Sequence, residues 1–232
     1  MLLRILLLSS FVLSSLLSIA QTEKDSLEFT VYYYEGGAKS SEGYLKDGQP
    51  EGYWKSYYRS GNMKAEGNRV DHLLDGPWVF YNEDGEKKLE INYRKDKKDG
   101  LRKTFMDGQL IKEEPFVDDQ IRGFVKEYYE NGGELQREIP FKDSQAHGTG
   151  YEYAQDGRII TLLTYKSGVL TKQQPINRMD QQLQKQGMWM TFYENRQVKT
   201  EGPYVNDLKN GYWKYYLSNG DLQRVEKWIM GV

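Results

Sequence analysis

The sequence predicts an all-β protein, an elongated antiparallel meander of β-hairpin repeats of about 24 residues, arranged as a twisted single-sheet array. Three observations lead to this fold class. A glycine and aromatic motif recurs at a fixed period, which is typical of repeat architectures. A turn dipeptide containing glycine closes the first half of most units, as expected for hairpins. The 232 residues include 19 Tyr, 5 Trp and 23 Gly, and the large aromatic residues fit a pleated surface.

The clearest copy of the motif is Gly52, Trp54, Tyr57 and Gly61. Seven glycines start such copies and are called the anchors: Gly52, Gly76, Gly100, Gly123, Gly148, Gly187 and Gly211. They are separated by steps of 24, 24, 23, 25, 39 and 24 residues, so one step contains an insertion. The motif predicts the following structural repeat residues: Gly52, Trp54, Tyr57, Gly76, Trp78, Tyr81, Gly123, Tyr128, Gly187, Trp189, Gly211, Trp213 and Tyr216.

Each unit is interpreted as two strands. The first runs from the anchor through the aromatic residues and ends at a pair such as Asp84-Gly85, Asn131-Gly132 or Asn219-Gly220, where glycine supplies the positive φ of a tight reversal. A second strand then leads through a polar connector to the next anchor. Counting gives about 14 to 16 strands, too many for a flat open sheet, so we expect the array to twist.

Strand alternation separates the aromatic residues into two rows. The residue two after the anchor, Trp54 in the clearest copy, and the residue five after it, Tyr57, have side chains on opposite faces of a strand. Both faces are therefore expected to carry a row of aromatic rings.

The motif Gly-Tyr-Trp-x-x-Tyr-Tyr-x-x-Gly, with Glu-Gly at 42–43, 66–67 and 201–202, resembles the MORN repeat, in the bacterial variant often labelled YwqK-type antitoxin. The resemblance covers about residues 29 to 230. It implies a scaffold or partner-binding module without catalytic residues, and lipid binding has also been proposed for such proteins. The motif departs from the family pattern at Arg102, Val125 and Gly150, where the Trp is missing.

The N-terminal residues predict export. A basic start and an apolar run from Ile5 to Ile19 precede Ser18-Ile19-Ala20, which is typical of a signal peptide over residues 1–20. Residues 21–28 are expected to form a disordered leader, and residues 29–232 the repeat array. Without cysteine there is no site for lipidation, so we expect a soluble periplasmic or secreted protein; an uncleaved membrane anchor is the alternative.

Composition argues against several classes of function. The 32 basic and 34 acidic residues give a net charge of −2 with interleaved signs, so nucleic acid is not an expected partner. The only two histidines, His72 and His147, lie in separate connectors, and no calcium or nucleophile motif appears. We therefore expect no enzyme activity, no metal and no cofactor.

The insertion, residues 170–186, is expected to form a long Gln-rich loop. Loops of this length within repeat units are uncommon unless they are functional or disordered, and both interpretations remain open. If functional, it would supply the partner-binding residues Gln173, Gln174, Ile176, Arg178 and Met179.

The function that the sequence favours is an exported, non-enzymatic scaffold that binds a protein partner along its sheet face. One alternative is a toxin-neutralising protein similar to an antitoxin or immunity protein. Another is a module that contacts envelope polysaccharide or the membrane surface, because aromatic rows can stack on sugar rings. Self-association through the apolar C-terminal strand, Leu222 to Val232, is a further expectation.

Overall fold

The structure, a computed structural model, describes residues 26–130 and 133–232. The predicted signal peptide, residues 21–25 of the leader and the turn at Asn131-Gly132 lie outside these ranges. Over the described residues the chain forms strands and turns and no helix, so no helix there could cross a membrane. The strands are β1 Glu28–Tyr33, β2 Lys39–Lys46, β3 Gln49–Tyr57, β4 Met63–Val70, β5 Leu73–Tyr81, β6 Lys87–Arg94, β7 Lys97–Met106, β8 Gln109–Val117, β9 Gln120–Ile121, β10 Gly123–Tyr128, β11 Leu135–Lys142, β12 Gln145–Ala146, β13 Gly148–Tyr153, β14 Ile159–Lys166, β15 Val169–Pro175, β16 Arg178–Met179, β17 Lys185–Phe192, β18 Val198–Val205, β19 Leu208–Lys209, β20 Gly211–Tyr216 and β21 Leu222–Trp228.

The strands form an antiparallel meander, which confirms the all-β repeat array. They belong to two sheets, however, and not to one. The first, called the N-terminal sheet, contains β1 to β15, and the second, called the C-terminal sheet, contains β16 to β21. In both, neighbours in sequence are neighbours in space. The prediction of a single sheet is wrong because the hydrogen-bond ladder ends between β15 and β16.

Both kinds of reversal, within a unit and between units, are tight turns on either side of β5. Gly85 has a φ of 94° in the turn between β5 and β6, as its position in an Asp-Gly pair predicts. The connectors reverse just as sharply: Asp71 and His72, between β4 and β5, have φ values of 52° and 68°. Two consecutive positive φ values characterise the type I′ turn, whose twist matches that of the flanking strands.

The anchor glycines adopt a conformation that other residues avoid. All seven have positive φ, between 67° and 113°, the left-handed region that favours glycine. At Gly76 the cause is a bulge, because Gly67 pairs with Trp78 and Asn68 pairs with Asp75. Gly76 and Pro77 therefore have no partner on β4, and β5 must bend there. Such a bend explains why every copy of the motif begins with glycine.

Tryptophan and glycine occupy complementary positions on adjacent strands. A Cβ on Gly67 would overlap the indole of Trp78, so this ring lies directly over the glycine backbone. The same relation joins Gly43 to Trp54 and Gly202 to Trp213. Trp78 and Trp213 are buried by this packing, whereas Trp54 and Trp189 are half-buried.

The insertion is not a loop. Residues 169–175 form β15, which pairs with β14 except for a bulge at Thr171. Residues 178–179 form β16, which pairs with β17. Between them Ile176 is only 1% exposed. Ile176 is therefore removed from the predicted partner-binding residues, because its side chain belongs to the core. Sequence reasoning missed this because a Gln-rich segment gave no apolar alternation.

Asn177 joins the two sheets. Its side-chain Nδ2 donates to the carbonyls of Ile159 and Met190, each at 2.9 Å, and its Oδ1 accepts from the Met190 amide at 2.7 Å. Its own amide donates to the Met188 carbonyl at 2.9 Å, and Arg158 donates to its carbonyl at 2.6 Å. The buried asparagine thus satisfies backbone groups of both sheets at the point where the ladder is interrupted.

Candidate binding surfaces

The two faces of the sheets differ in chemistry and are named by their aromatic rows. The tryptophan face carries the residues two after each anchor, including Trp54, Trp78, Trp189 and Trp213. The tyrosine face carries the residues five after each anchor: Tyr57, Tyr81, Phe105, Tyr128, Tyr153, Phe192 and Tyr216.

A repeated Glu–Tyr hydrogen bond runs along the tyrosine face. Within the described part of the chain, the tyrosine hydroxyl donates to a glutamate fifteen residues earlier in five units. The pairs are Tyr57 with Glu42, Tyr81 with Glu66 at 2.6 Å, Tyr128 with Glu113 at 2.8 Å, Tyr153 with Glu138 at 2.6 Å and Tyr216 with Glu201 at 2.7 Å. Phe105 lacks a hydroxyl, and here Lys87 donates to the glutamate instead. Its Nζ lies 3.2 Å from the Glu90 carboxylate and 4.1 Å from the centre of the Phe105 ring. These contacts link each unit to the one before it.

These hydrogen bonds help to raise the pKa values of the ladder tyrosines. The hydrogen bond to Glu66, with burial second, raises the pKa of Tyr81 to about 12. Burial first, and then the hydrogen bond to Glu201, raises the pKa of Tyr216 to about 12. The hydrogen bond from Tyr81 in turn lowers the pKa of the Glu66 carboxyl. The Tyr81–Glu66 pair therefore keeps a protonated tyrosine and an ionised glutamate over a wide pH range, which suits a structural role.

A mostly apolar row lies beside this ladder on the tyrosine face. The residue after each anchor is exposed: Tyr53, Pro77, Leu101, Phe124, Thr149, Met188 and Tyr212. In the middle of the N-terminal sheet two prolines extend this row over four neighbouring strands. Leu101 pairs with Pro115, Phe124 pairs with Pro140, and β8 pairs with β10 between them. Leu101 is 38% exposed and Phe124 is 42% exposed. We call these four residues, Leu101, Pro115, Phe124 and Pro140, the apolar stripe.

The tryptophan face changes character where the tryptophans are missing. Here the neighbouring positions carry charges of alternating sign. The ion pairs join Arg102 to Glu114 at 3.6 Å, Lys112 to Glu114 at 3.2 Å, Arg137 to Glu127 at 3.4 Å and Arg137 to Glu152 at 2.9 Å. These charged side chains form salt bridges with each other, so this part of the tryptophan face has no excess of one sign of charge.

The C-terminal sheet contacts the tyrosine face of the N-terminal sheet. Arg196, in the turn between β17 and β18, donates to the Tyr153 hydroxyl at 2.7 Å and pairs with Glu138 at 2.5 Å. The ring of Phe192 lies edge-on to Tyr151 with 6.2 Å between centres. This contact buries Tyr151, Tyr153 and Glu138, so this end of the tyrosine face is covered while the apolar stripe is not.

The remaining predicted partner-binding residues lie in different environments. Gln173 is exposed on β15 and Gln174 beside it is half-buried. Arg178 is exposed, although its guanidinium donates to the Thr161 hydroxyl at 3.2 Å, and Met179 is half-buried. They lie on two different sheets, so they do not form the single flexible loop that the sequence suggested.

The described residues contain no group of three or more His, Asp or Glu side chains arranged to hold a metal ion. His72 faces Glu51, with 3.5 Å between Nδ1 and the carboxylate. The Glu51 carboxylate also accepts a hydrogen bond from the His72 amide at 2.8 Å. The contact between these two residues therefore supports the turn between β4 and β5.

Comparison with known proteins agrees with this geometry. Residues 50–71 and 74–95 match the family model described as the MORN repeat variant. Each matched segment begins two residues before an anchor, Gly52 or Gly76, and spans both strands of that unit. A search of curated proteins finds no match.

Proposed function

Because this chain is a MORN-variant repeat protein, we propose that it is a non-enzymatic scaffold that binds a protein partner along the tyrosine face. The observation that carries the proposal is the apolar stripe. Leu101 and Phe124 are exposed on this stripe, and the prolines that pair with them, Pro115 and Pro140, are half-buried. Exposed apolar patches with polar rims are typical of protein interfaces.

The stripe also has the geometry of a docking surface. Its four residues span three strand spacings, or roughly 14 Å. The backbone beneath them is held by strand pairing between β7 and β8 and between β10 and β11. Proline at two of the four positions further limits main-chain freedom. A rigid surface lowers the entropy cost of binding.

Site-specific photo-crosslinking tests the proposal. A photoreactive phenylalanine analogue would replace Phe124 on the stripe, and Gln173 on the opposite face, in cells of the source organism. We expect one partner to be crosslinked from position 124 and not from position 173. Crosslinking from position 173 alone would assign partner binding to the former insertion and would contradict the stripe.

Export, an antitoxin-like role and contact with a membrane surface remain predictions of the sequence. The proposal depends on none of them, since the stripe would bind a protein of complementary apolar surface in any compartment.

A further inference from the structure

The tryptophan face of the C-terminal sheet contains a cleft of about 260 Å³. Its aromatic walls are Trp189, Tyr204, Trp213 and Tyr215, and its rim carries Lys185 and Lys209. We propose that this aromatic–lysine cleft binds a carboxylated sugar ring, such as the uronate unit of an acidic glycan. The cleft lies on the other face from the apolar stripe, so this proposal is independent of the protein-binding function.

The aromatic walls present ring surfaces in two orientations. The ring centres of Trp189 and Tyr204 are 5.7 Å apart, and the angle between the ring planes is 79°. Tyr204 and Trp213 lie 4.9 Å apart at 80°. Such a corner can hold the C–H face of one pyranose ring, and the volume, below that of drug-sized sites, is suited to a single ring.

The two lysines supply the positive charge. The Nζ of Lys185 is 5.0 Å from the centres of both the Trp189 and Tyr204 rings. The Nζ of Lys209 is 4.6 Å from the Trp213 ring and 2.9 Å from the Tyr215 hydroxyl. Within residues 26–130 and 133–232 neither ammonium forms a salt bridge, unlike the charges of the central tryptophan face.

This combination selects among ligand classes. Two ammonium groups without a salt bridge repel a cationic ligand. A purely apolar ligand would cover them without offering a hydrogen-bond acceptor. An inorganic anion would use the lysines but leave the aromatic corner empty. A sugar carboxylate uses both, since its carboxylate accepts charge-assisted hydrogen bonds while its ring covers the aromatic surface.

Calorimetry with defined oligosaccharides tests the inference. The probes are trigalacturonic acid, the neutral trisaccharide maltotriose, and inorganic phosphate, each titrated into the wild type, Lys209→Met, Lys185→Met and Lys227→Met. Lys227 is a matched control because it is exposed on β21 opposite Tyr212, on the other face of the same sheet. Tryptophan fluorescence would verify that each variant is folded.

We expect trigalacturonic acid to bind the wild type and the Lys227→Met variant equally. Loss of either rim lysine should weaken this binding about tenfold or more, the usual effect of one charge-assisted hydrogen bond. No binding of trigalacturonic acid, equal binding of maltotriose, equal binding of phosphate, or equal loss in the Lys227→Met control would each overturn the proposal.

Discussion

The indole of Trp78 lies directly over the Cα of Gly67 on the adjacent strand, where any Cβ would overlap the ring. The pairing explains why glycine follows glutamate at 42–43, 66–67 and 201–202, each followed eleven residues after the glycine by a tryptophan. Where the tryptophan is replaced by Arg102, the facing residue is Ile91. Glycine is therefore found where the facing residue is tryptophan, and a larger residue is found where the tryptophan is replaced by Arg102.

A double-mutant cycle tests this relation. Gly67→Ala should destabilise the protein by about 1–3 kcal/mol, because the added methyl group overpacks the site. In a Trp78→Leu background the same change should cost much less, since the smaller side chain leaves room. Urea unfolding followed by circular dichroism gives the free energies. Additive effects of the two substitutions would contradict the steric relation.

Trp78→Ala should lower the free energy of unfolding by about 3–5 kcal/mol. Trp78 is 6% exposed and its indole donates to the Asn68 carbonyl at 2.9 Å, so the change removes both packing and a hydrogen bond. Tyr53→Ala is the control, because Tyr53 is 50% exposed; it should cost less. An unchanged melting temperature for Trp78→Ala would show that the stacked tryptophan row is not structural.

Stability should decrease at high pH because of the Glu–Tyr ladder. The pKa of Tyr81 and that of Tyr216 are raised from the ordinary 10 to about 12 in the folded protein. Between these values the unfolded chain releases protons that the folded protein retains, so the contribution is complete below pH 10 and is lost as the pH rises through about 12.

The converse holds for Glu66, the hydrogen-bond partner of Tyr81. The pKa of Glu66 is lowered in the folded state. Its contribution to stability is therefore present above its unfolded pKa and is lost as the pH falls through the folded pKa.

Phenolate absorbance tests the tyrosine prediction, because the absorbance of the wild type minus that of Tyr81→Phe isolates Tyr81. Titration of this difference near pH 10 would contradict the role of the Glu66 hydrogen bond.

Asn177→Ala should destabilise the junction between the sheets by about 3 kcal/mol, because it leaves the buried Met190 amide without its acceptor. Asn177 also has a φ of 52°, which alanine tolerates less well. The control Asn219→Ala removes hydrogen bonds within an exposed turn and should cost at most about 1 kcal/mol. Equal effects of the two substitutions in urea unfolding would mean that Asn177 does not hold the sheets together.

The sequence was sufficient for the repeat, its period and the glycine turns, because these depend on local backbone conformation. The Glu–Tyr ladder was missed, although a glutamate fifteen residues before each tyrosine was a usable signal once strand register was known. The break between sheets could not be predicted, since it depends on Ile176 and Asn177 being buried by strands distant in sequence. The apolar stripe was missed because Leu101 and Pro115 become neighbours only through strand pairing.

Partner affinity, measured once crosslinking at position 124 has identified the partner, shows whether the tyrosine face is the binding surface. Leu101→Asp combined with Phe124→Asp places two charges on the apolar stripe, and Leu217→Asp is the matched control at an apolar residue of similar exposure, 44%, in a distant turn. Both proteins should remain folded. We expect the stripe variant to bind at least about 30-fold more weakly, as for a central hot spot, while the control binds as the wild type does. Unchanged affinity of the folded stripe variant would contradict the claim that the tyrosine face binds the partner.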